Sequence, residues 1–176
     1  MSHKKRAIHP IDFLFLSLEK RRQPMHVAGL LLFKIPPSAP DDFVQKLAEE
    51  IRQSKQMPMS PFGDRLNGLF WQQDERFDID HHFRHIALPK PGRIRELFMY
   101  VSQEHSTLLD RAKPMWTCTL IEGIEGNRFA IYCKIHHALV DGVAAFRLLE
   151  KTLSSQPDDQ NVVPLWCLRT PLASPA

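Results

Sequence analysis

Apolar residues recur along this chain at two periods, and the points where one gives way to the other mark its elements. Residues 12 to 20 follow Pro10, are almost wholly apolar from Phe13 to Leu18, and predict a short helix packed on a core. Met25 to Lys34 reads as a buried strand, bounded by Pro24 and the Pro36-Pro37 pair. From Pro40 the period lengthens: Asp41 and Asp42 suit a helix N-terminus, and Phe43, Leu47 and Ile51 recur every four residues. Residues 57 to 64 hold Pro58, Pro61 and Gly63 and read as a loop.

Two strands are expected next, Gly68 to Gln72 and an irregular one from Phe77 to Leu88. Gly92 opens the clearest helix, with Ile94, Leu97, Phe98, Val101, His105 and Leu108 at steps of three and four. The strands Trp116 to Glu122 and Arg128 to Ile135 flank Gly123 and Gly126-Asn127, residues that tolerate positive φ, which predicts a hairpin. A last helix from Asp141 to Leu153 places Val143, Phe146, Leu149 and Leu153 on one face. Beyond Ser154, Pro157, Pro164, Pro171 and Pro175 break any period. One domain over residues 1–154 with a linker or frayed tail over 155–176 is the expected organisation. Helices and strands mix, so the class is α/β or α+β.

Composition narrows this picture only a little. Apolar residues make up 43% of the 176, enough for a packed core, and the net charge of +3 is mild. Its distribution says more: His3-Lys4-Lys5-Arg6 and Lys20-Arg21-Arg22 are basic clusters that could attract anionic headgroups or simply be solvated. Charges from Asp12 to Arg22 interrupt any signal-peptide core, and the apolar run Val27 to Phe33 is too short to span a bilayer. Cys118, Cys133 and Cys167 are odd in number and form no C-x-x-C pair, which suits reduced thiols and a cytoplasmic setting. Few aromatics interleave with the basic residues, so nucleic-acid binding has no support.

The segment with chemistry in it is Ile135-His136-His137-Ala138-Leu139-Val140-Asp141-Gly142, where a strand passes into a helix. Phe129, Ile131, Cys133 and Ile135 share one strand face, so continued alternation turns His137 inward and His136 to the opposite side. A buried imidazole resists protonation, and a neutral one within reach of a hydroxyl is a general base. Asp141 suits the cap of the helix that follows, and Gly142 would let the backbone pass close by. Bland readings stand beside this one. The two histidines could be satisfied residues at a strand end. His105 fits a core or boundary position. Met57, Met59 and Met115 suit gap-filling. Asp78, Asp80, His81, His82 and His85 could suggest a metal, but an extended stretch would not align them.

H-H-x-x-x-D-G resembles the signature of the superfamily containing chloramphenicol acetyltransferase, condensation domains and carnitine acyltransferases. The flanking segments are similar to the bacterial wax ester synthase/diacylglycerol acyltransferases. These segments are His9-Pro10-Ile11-Asp12, Met25-His26-Val27, Phe77 to His82, Gly92 to Leu97, Leu108 to Arg111 and Pro114-Met115-Trp116, where Met replaces the family's Leu. The resemblance implies an α/β fold of the two-layer, chloramphenicol acetyltransferase-like kind. It implies His137 as general base, His136 in support, Asp141 in a structural role paired with an arginine, and no bound cofactor. Acyl-CoA would be the donor, and a long-chain alcohol or diacylglycerol the acceptor. It further implies a second half facing the motif across a tunnel. As this chain ends soon after the His137 helix, the expectation is either a truncated or split N-terminal portion, or a wall supplied by another chain or by self-association, with peripheral contact at a membrane or lipid inclusion. His136 and Asp141 also fit H-x-x-x-x-D, in which the first histidine would be the base. A non-enzymatic alternative is a folded fragment that binds lipid or a partner through an exposed apolar patch.

Overall fold

A four-stranded sheet, its strands in the spatial order His26–Lys34, Arg128–His136, Trp116–Ile124 and Phe83–Ala87, carries the motif at one end of the second of these. The structure, a computed structural model, describes residues 5–53, 58, 60–154 and 163–168. In chain order the elements are β1 (Arg6–Ala7), α1 (Pro10–Leu18), β2 (His26–Lys34), α2 (Phe43–Gln53), β3 (Asp64–Asn67) and β4 (Phe70–Gln73). There follow α3 (Ile79–His82), β5 (Phe83–Ala87), α4 (Ile94–Ser106), β6 (Trp116–Ile124), β7 (Arg128–His136) and α5 (Gly142–Thr152). A 3₁₀ turn occupies Leu165–Cys167.

Strands β6 and β7 form the expected hairpin, with Asn127 at φ 55° and Gly126 at φ 77° in the turn. β2 pairs antiparallel on the other side of β7, which sets His26 opposite His136. β5 and β6 run parallel, and α4 supplies the crossover that a parallel pair requires. The entry to α4 depends on Gly92, at φ 68°, because a Cβ there would collide with the carbonyl oxygen of Gly123. A separate antiparallel sheet, β1-β4-β3, holds the N-terminal segment.

The architecture is the expected mixed α/β, with helices on both faces of the larger sheet. On one face Leu97 and Val101 of α4 pack against Ile121, Ala130 and Tyr132. On the other, Val44, Ala48 and Ile51 of α2 and Leu148 of α5 pack against Cys118, Leu120, Phe129, Cys133 and Ile135. Alternation along β7 produces this split, since odd and even residues face opposite layers. The three cysteines are free thiols, with Cys118 Sγ and Cys133 Sγ 3.1 Å apart across the hairpin.

Several expectations needed correction. Of α1's apolar side chains only Leu16 is buried, while Ile11, Phe13, Leu14 and Leu18 are exposed, so this helix does not simply face the core. The stretch from Phe77 is not one strand: the Asp78 carboxylate accepts from the Asp80 N–H and starts the single turn α3, so the strand begins only at Phe83. The expected loop ends in β3, which pairs with β4. The expected tail also contributes to the core: Leu165 and Trp166 are buried, and Trp166 stacks on Trp116 at 4.7 Å. Residues 155–162 and 169–176 of that tail, together with Met57 and Met59, lie outside the described residues.

Candidate active site

β7 ends at His136, and the period of two ends with it. The alternation that turned His137 inward therefore does not extend to that residue, and burial is the reverse of the expectation. His136 is 0% exposed, whereas His137 is half-buried in the turn that follows.

Each ring nitrogen of His136 faces a defined neighbour. Nδ1 accepts the Ala138 N–H at 3.0 Å, which leaves the ring proton on Nε2. Nε2 points to Glu19 Oε1 at 3.3 Å, close enough for attraction though short of an aligned hydrogen bond. The main-chain N–H of His136 donates to the Met115 carbonyl at 3.0 Å, so the Pro114-Met115-Trp116 segment pins the end of β7. Met115 is itself fully buried against Leu16, Trp71, Leu109 and Ala138. Burial holds the His136 imidazole down to a pKa of about 4, against the partial opposition of the Glu19 charge. The ring is therefore neutral at pH 7.

Glu19 sits just past the end of α1, with its side chain 1% exposed. Arg111 Nε and Nη2 donate to its Oε2 at 3.2 and 2.9 Å, and Nη2 also donates to the Leu16 carbonyl at 2.6 Å. The Met25 N–H donates to its Oε1 at 3.2 Å. Burial alone would raise this carboxyl. The Arg111 hydrogen bonds, the Met25 N–H and the nearby His136 outweigh it and bring it below its usual value.

His137 is held through its backbone, its N–H donating to the Met25 carbonyl at 2.9 Å. Its ring stacks on Phe15 of α1 with centroids 4.1 Å apart. Its Nδ1 is buried without a hydrogen-bond partner among the described residues. Asp12, also on α1, lies near His137. Burial raises its carboxyl while His9, Arg6 and His137 oppose the rise.

Asp141 is the N-cap of α5, accepting the Ala144 N–H on Oδ1 at 2.7 Å. Among the described residues no arginine pairs with it; the arginine bound to a carboxylate beside this turn is Arg111. Gly142 begins α5, and a Cβ there would meet nothing within 4 Å, so no part of this chain makes the close approach expected of it. Gly142 instead lines an apolar cleft of about 130 Å³ with Ile135, Ala145, Phe146 and Leu149. A second apolar cavity of about 190 Å³ shares Cys133, Leu149 and Leu165 with it and reaches Trp166. The expected apolar face of α5 is largely open: Val143 is 65% and Phe146 61% exposed, while Leu148 is the buried residue.

Glu19, Arg111, Phe15 and the Met25 and Met115 carbonyls carry no signal of their own in the sequence. Met25, Arg111 and Met115 did fall inside the segments that carried the family resemblance, without a role attached. Glu19 showed only as a charge ending an apolar run.

The fold and the motif have counterparts in known proteins. The wax ester synthase/diacylglycerol acyltransferase catalytic domain matches residues 8–173. The chain is 69% identical over 163 residues to O-acyltransferase WSD of Acinetobacter baylyi, covering 93% of this chain and 36% of that protein. It is 42% identical over 165 residues to a putative diacylglycerol O-acyltransferase of Mycobacterium bovis, covering 90% of this chain and again 36% of the relative. The solved wax ester synthase/diacylglycerol acyltransferase of Marinobacter aquaeolei superposes with a TM-score of 0.88 at 51% identity, over 93% of this chain and 40% of that one. A condensation domain of the calcium-dependent antibiotic synthetase shares the fold alone, with a TM-score of 0.59 at 16% identity over 82% of this chain and 36% of that one. The chain thus spans little more than a third of the length of these relatives, and it belongs to the wax ester synthase/diacylglycerol acyltransferase catalytic domain family.

Proposed function

We propose that this chain supplies the histidine wall of an acyl-CoA-dependent O-acyltransferase, with His137 as general base. The observation that carries this reading is the contrast between the two histidines. Both nitrogens of His136 face protein groups in a fully buried site. His137 is half-buried, and its exposure is not through the buried Nδ1, which leaves the Nε2 edge to meet a hydroxyl. The H-x-x-x-x-D alternative, with His136 as base, would need a substrate to reach a ring with 0% exposure.

In this reaction His137 takes the proton of a long-chain alcohol or of the free hydroxyl of a diacylglycerol. The oxygen attacks the acyl-CoA thioester carbonyl, the C–O bond forms, and the tetrahedral oxyanion collapses with loss of the C–S bond. The CoA thiolate recovers the proton from the imidazolium. No acyl-enzyme is formed, so the thiols have no part in it. A base of this kind contributes roughly 10²–10⁴-fold. Positioning and oxyanion stabilisation supply the rest.

Contact with a lipid surface is supported by α1, whose exposed Ile11, Leu14 and Leu18 are followed directly by Lys20, Arg21 and Arg22. No helix among the described residues is long and apolar enough to cross a membrane. A second reading, a partner-binding module without activity of its own, draws support from the open apolar face of α5. Thiol release from palmitoyl-CoA with hexadecanol, by the 176-residue chain and its His137→Ala variant, separates the two. Release that depends on acceptor and His137 supports the enzyme, and its absence from folded protein assigns the chain a binding role until a second wall is supplied.

A further inference from the structure

The carboxylate of Glu19 is the most heavily invested polar group near the motif, and nothing in the reaction above uses it. It is nearly wholly buried, and an ion pair taken out of water is weak evidence for a role in stability, since apolar replacements of similar volume are often as stable. What a carboxylate supplies, and an apolar side chain could not, is acceptors aimed at several donors at once. Here the donors are Arg111 and the Met25 N–H, and the Nε2–H of the neutral His136 ring faces the same carboxylate at 3.3 Å.

Two of these lead to His137 by separate routes. Glu19 Oε1 accepts the Met25 N–H, and the carbonyl of Met25, in the next peptide unit, receives the His137 N–H at 2.9 Å. Glu19 also faces Nε2 of His136, whose Nδ1 receives the Ala138 N–H at 3.0 Å. The residue between those two anchors is His137. A third link comes from the same helix: Phe15, one turn before Glu19, stacks on the His137 ring, and its carbonyl accepts the Glu19 N–H. Arg111 ties this end of α1 down through both Glu19 and the Leu16 carbonyl.

We propose that Glu19, backed by Arg111, is a positioning residue for the catalytic turn, fixing through His136 and Met25 where His137 presents its ring. The proposal rests on the reading of His137 as the base. Glu19 itself touches no reacting atom. Its charge has a second effect, which is to favour the tautomer of His136 that keeps Nδ1 free to hold Ala138.

The test is heteronuclear NMR of the histidine side chains in the 176-residue chain and its Glu19→Gln variant, a readout that needs no activity. In the wild-type chain a single Nε2–H tautomer is expected for His136, and the His137 ring protons should carry the ring-current shift of Phe15. In the variant the His136 Nε2 signal should move and the His137 ring should lose its shift, while the amides of β6 and β7 stay in place. His137 resonances unmoved by the substitution would overturn the proposal. If the glutamine variant fails to fold, Glu19→Asp keeps the charge against Arg111 but withdraws it from His136, and the same resonances are read. Loss of folding in both variants would make Glu19 a structural residue and end the proposal. Failure of the His137 assignment would instead show as acyl transfer surviving His137→Ala, which these spectra do not measure.

Discussion

The two sides of the His136–His137 turn are built on opposite plans. Toward α1 the surroundings are closed and polar: Glu19, Arg111, Met25, Met115 and Ala138 enclose His136 in a network of hydrogen bonds and charge contacts. Toward α5 the surface is open and apolar, with Gly142 lining a cleft and Val143 and Phe146 exposed. The closed side fixes geometry, and the open side has room for something to enter. A general base needs both, because a misplacement of the order of 1 Å costs about 100-fold in rate.

The strongest way to break this comparison is to loosen the closed side. A chimera can be built by joining residues 1–176 to the remaining length of the Acinetobacter relative, which is 69% identical over the shared region. In that chimera Glu19→Gln should lower kcat by about 100-fold with little change in KM, as expected when a group is displaced but substrate binding is not. Equal effects on both parameters would place Glu19 in binding.

Acid should loosen the same side next. His136 and His82 are both buried and held neutral down to about pH 4, from an ordinary value of 6.5. Each has a folded-state pKa below its unfolded one, so stability is intact above the unfolded value and falls as the unfolded chain takes up protons. The limiting slope is about 1.4 kcal/mol per pH unit for each histidine. Urea denaturation at steps from pH 7 to 4 should show midpoints falling as pH drops below 6.5, and a flat profile would contradict the burial of these rings.

At the border between the two sides, Asp141→Ala removes the α5 cap and should cost about 1 kcal/mol in thermal or chemical denaturation. The smallest effect belongs to the open side. Phe146→Ser in the 176-residue chain should change stability by under about 0.5 kcal/mol, as for an exposed position. A loss of several kcal/mol would mean that α5 is covered in solution.

This contrast also marks what could be read from the sequence. The hairpin of β6 and β7, helix α4 and the position of the motif at a strand end followed from local signals: turn glycines, a clear helical period and a change of period. The burial of the two histidines did not, because alternation holds only while the strand lasts, and β7 ends one residue before His137. Nor could the period of α5 say which side would be covered. Val143, Phe146, Leu149 and Leu153 form an apolar stripe, yet of these only Leu149 lies against the sheet, at Gly29, and the fully buried residue is Leu148, with the small Ala144 and Ala145 beside it. Amphipathicity locates a stripe and leaves its partner unspecified. The Glu19–Arg111 pair is separated by 92 residues, so only tertiary structure could join it.

If His137 transfers the proton while His136 holds the frame, the two histidines respond differently to substitution, and one comparison decides it. Thiol release from palmitoyl-CoA with hexadecanol, measured for His137→Ala and His136→Ala in the same chimera, tests it most directly. Transfer abolished by His137→Ala and only partly reduced by His136→Ala is the expected result. Equal loss in both, no loss in either, or the reverse order would contradict the account.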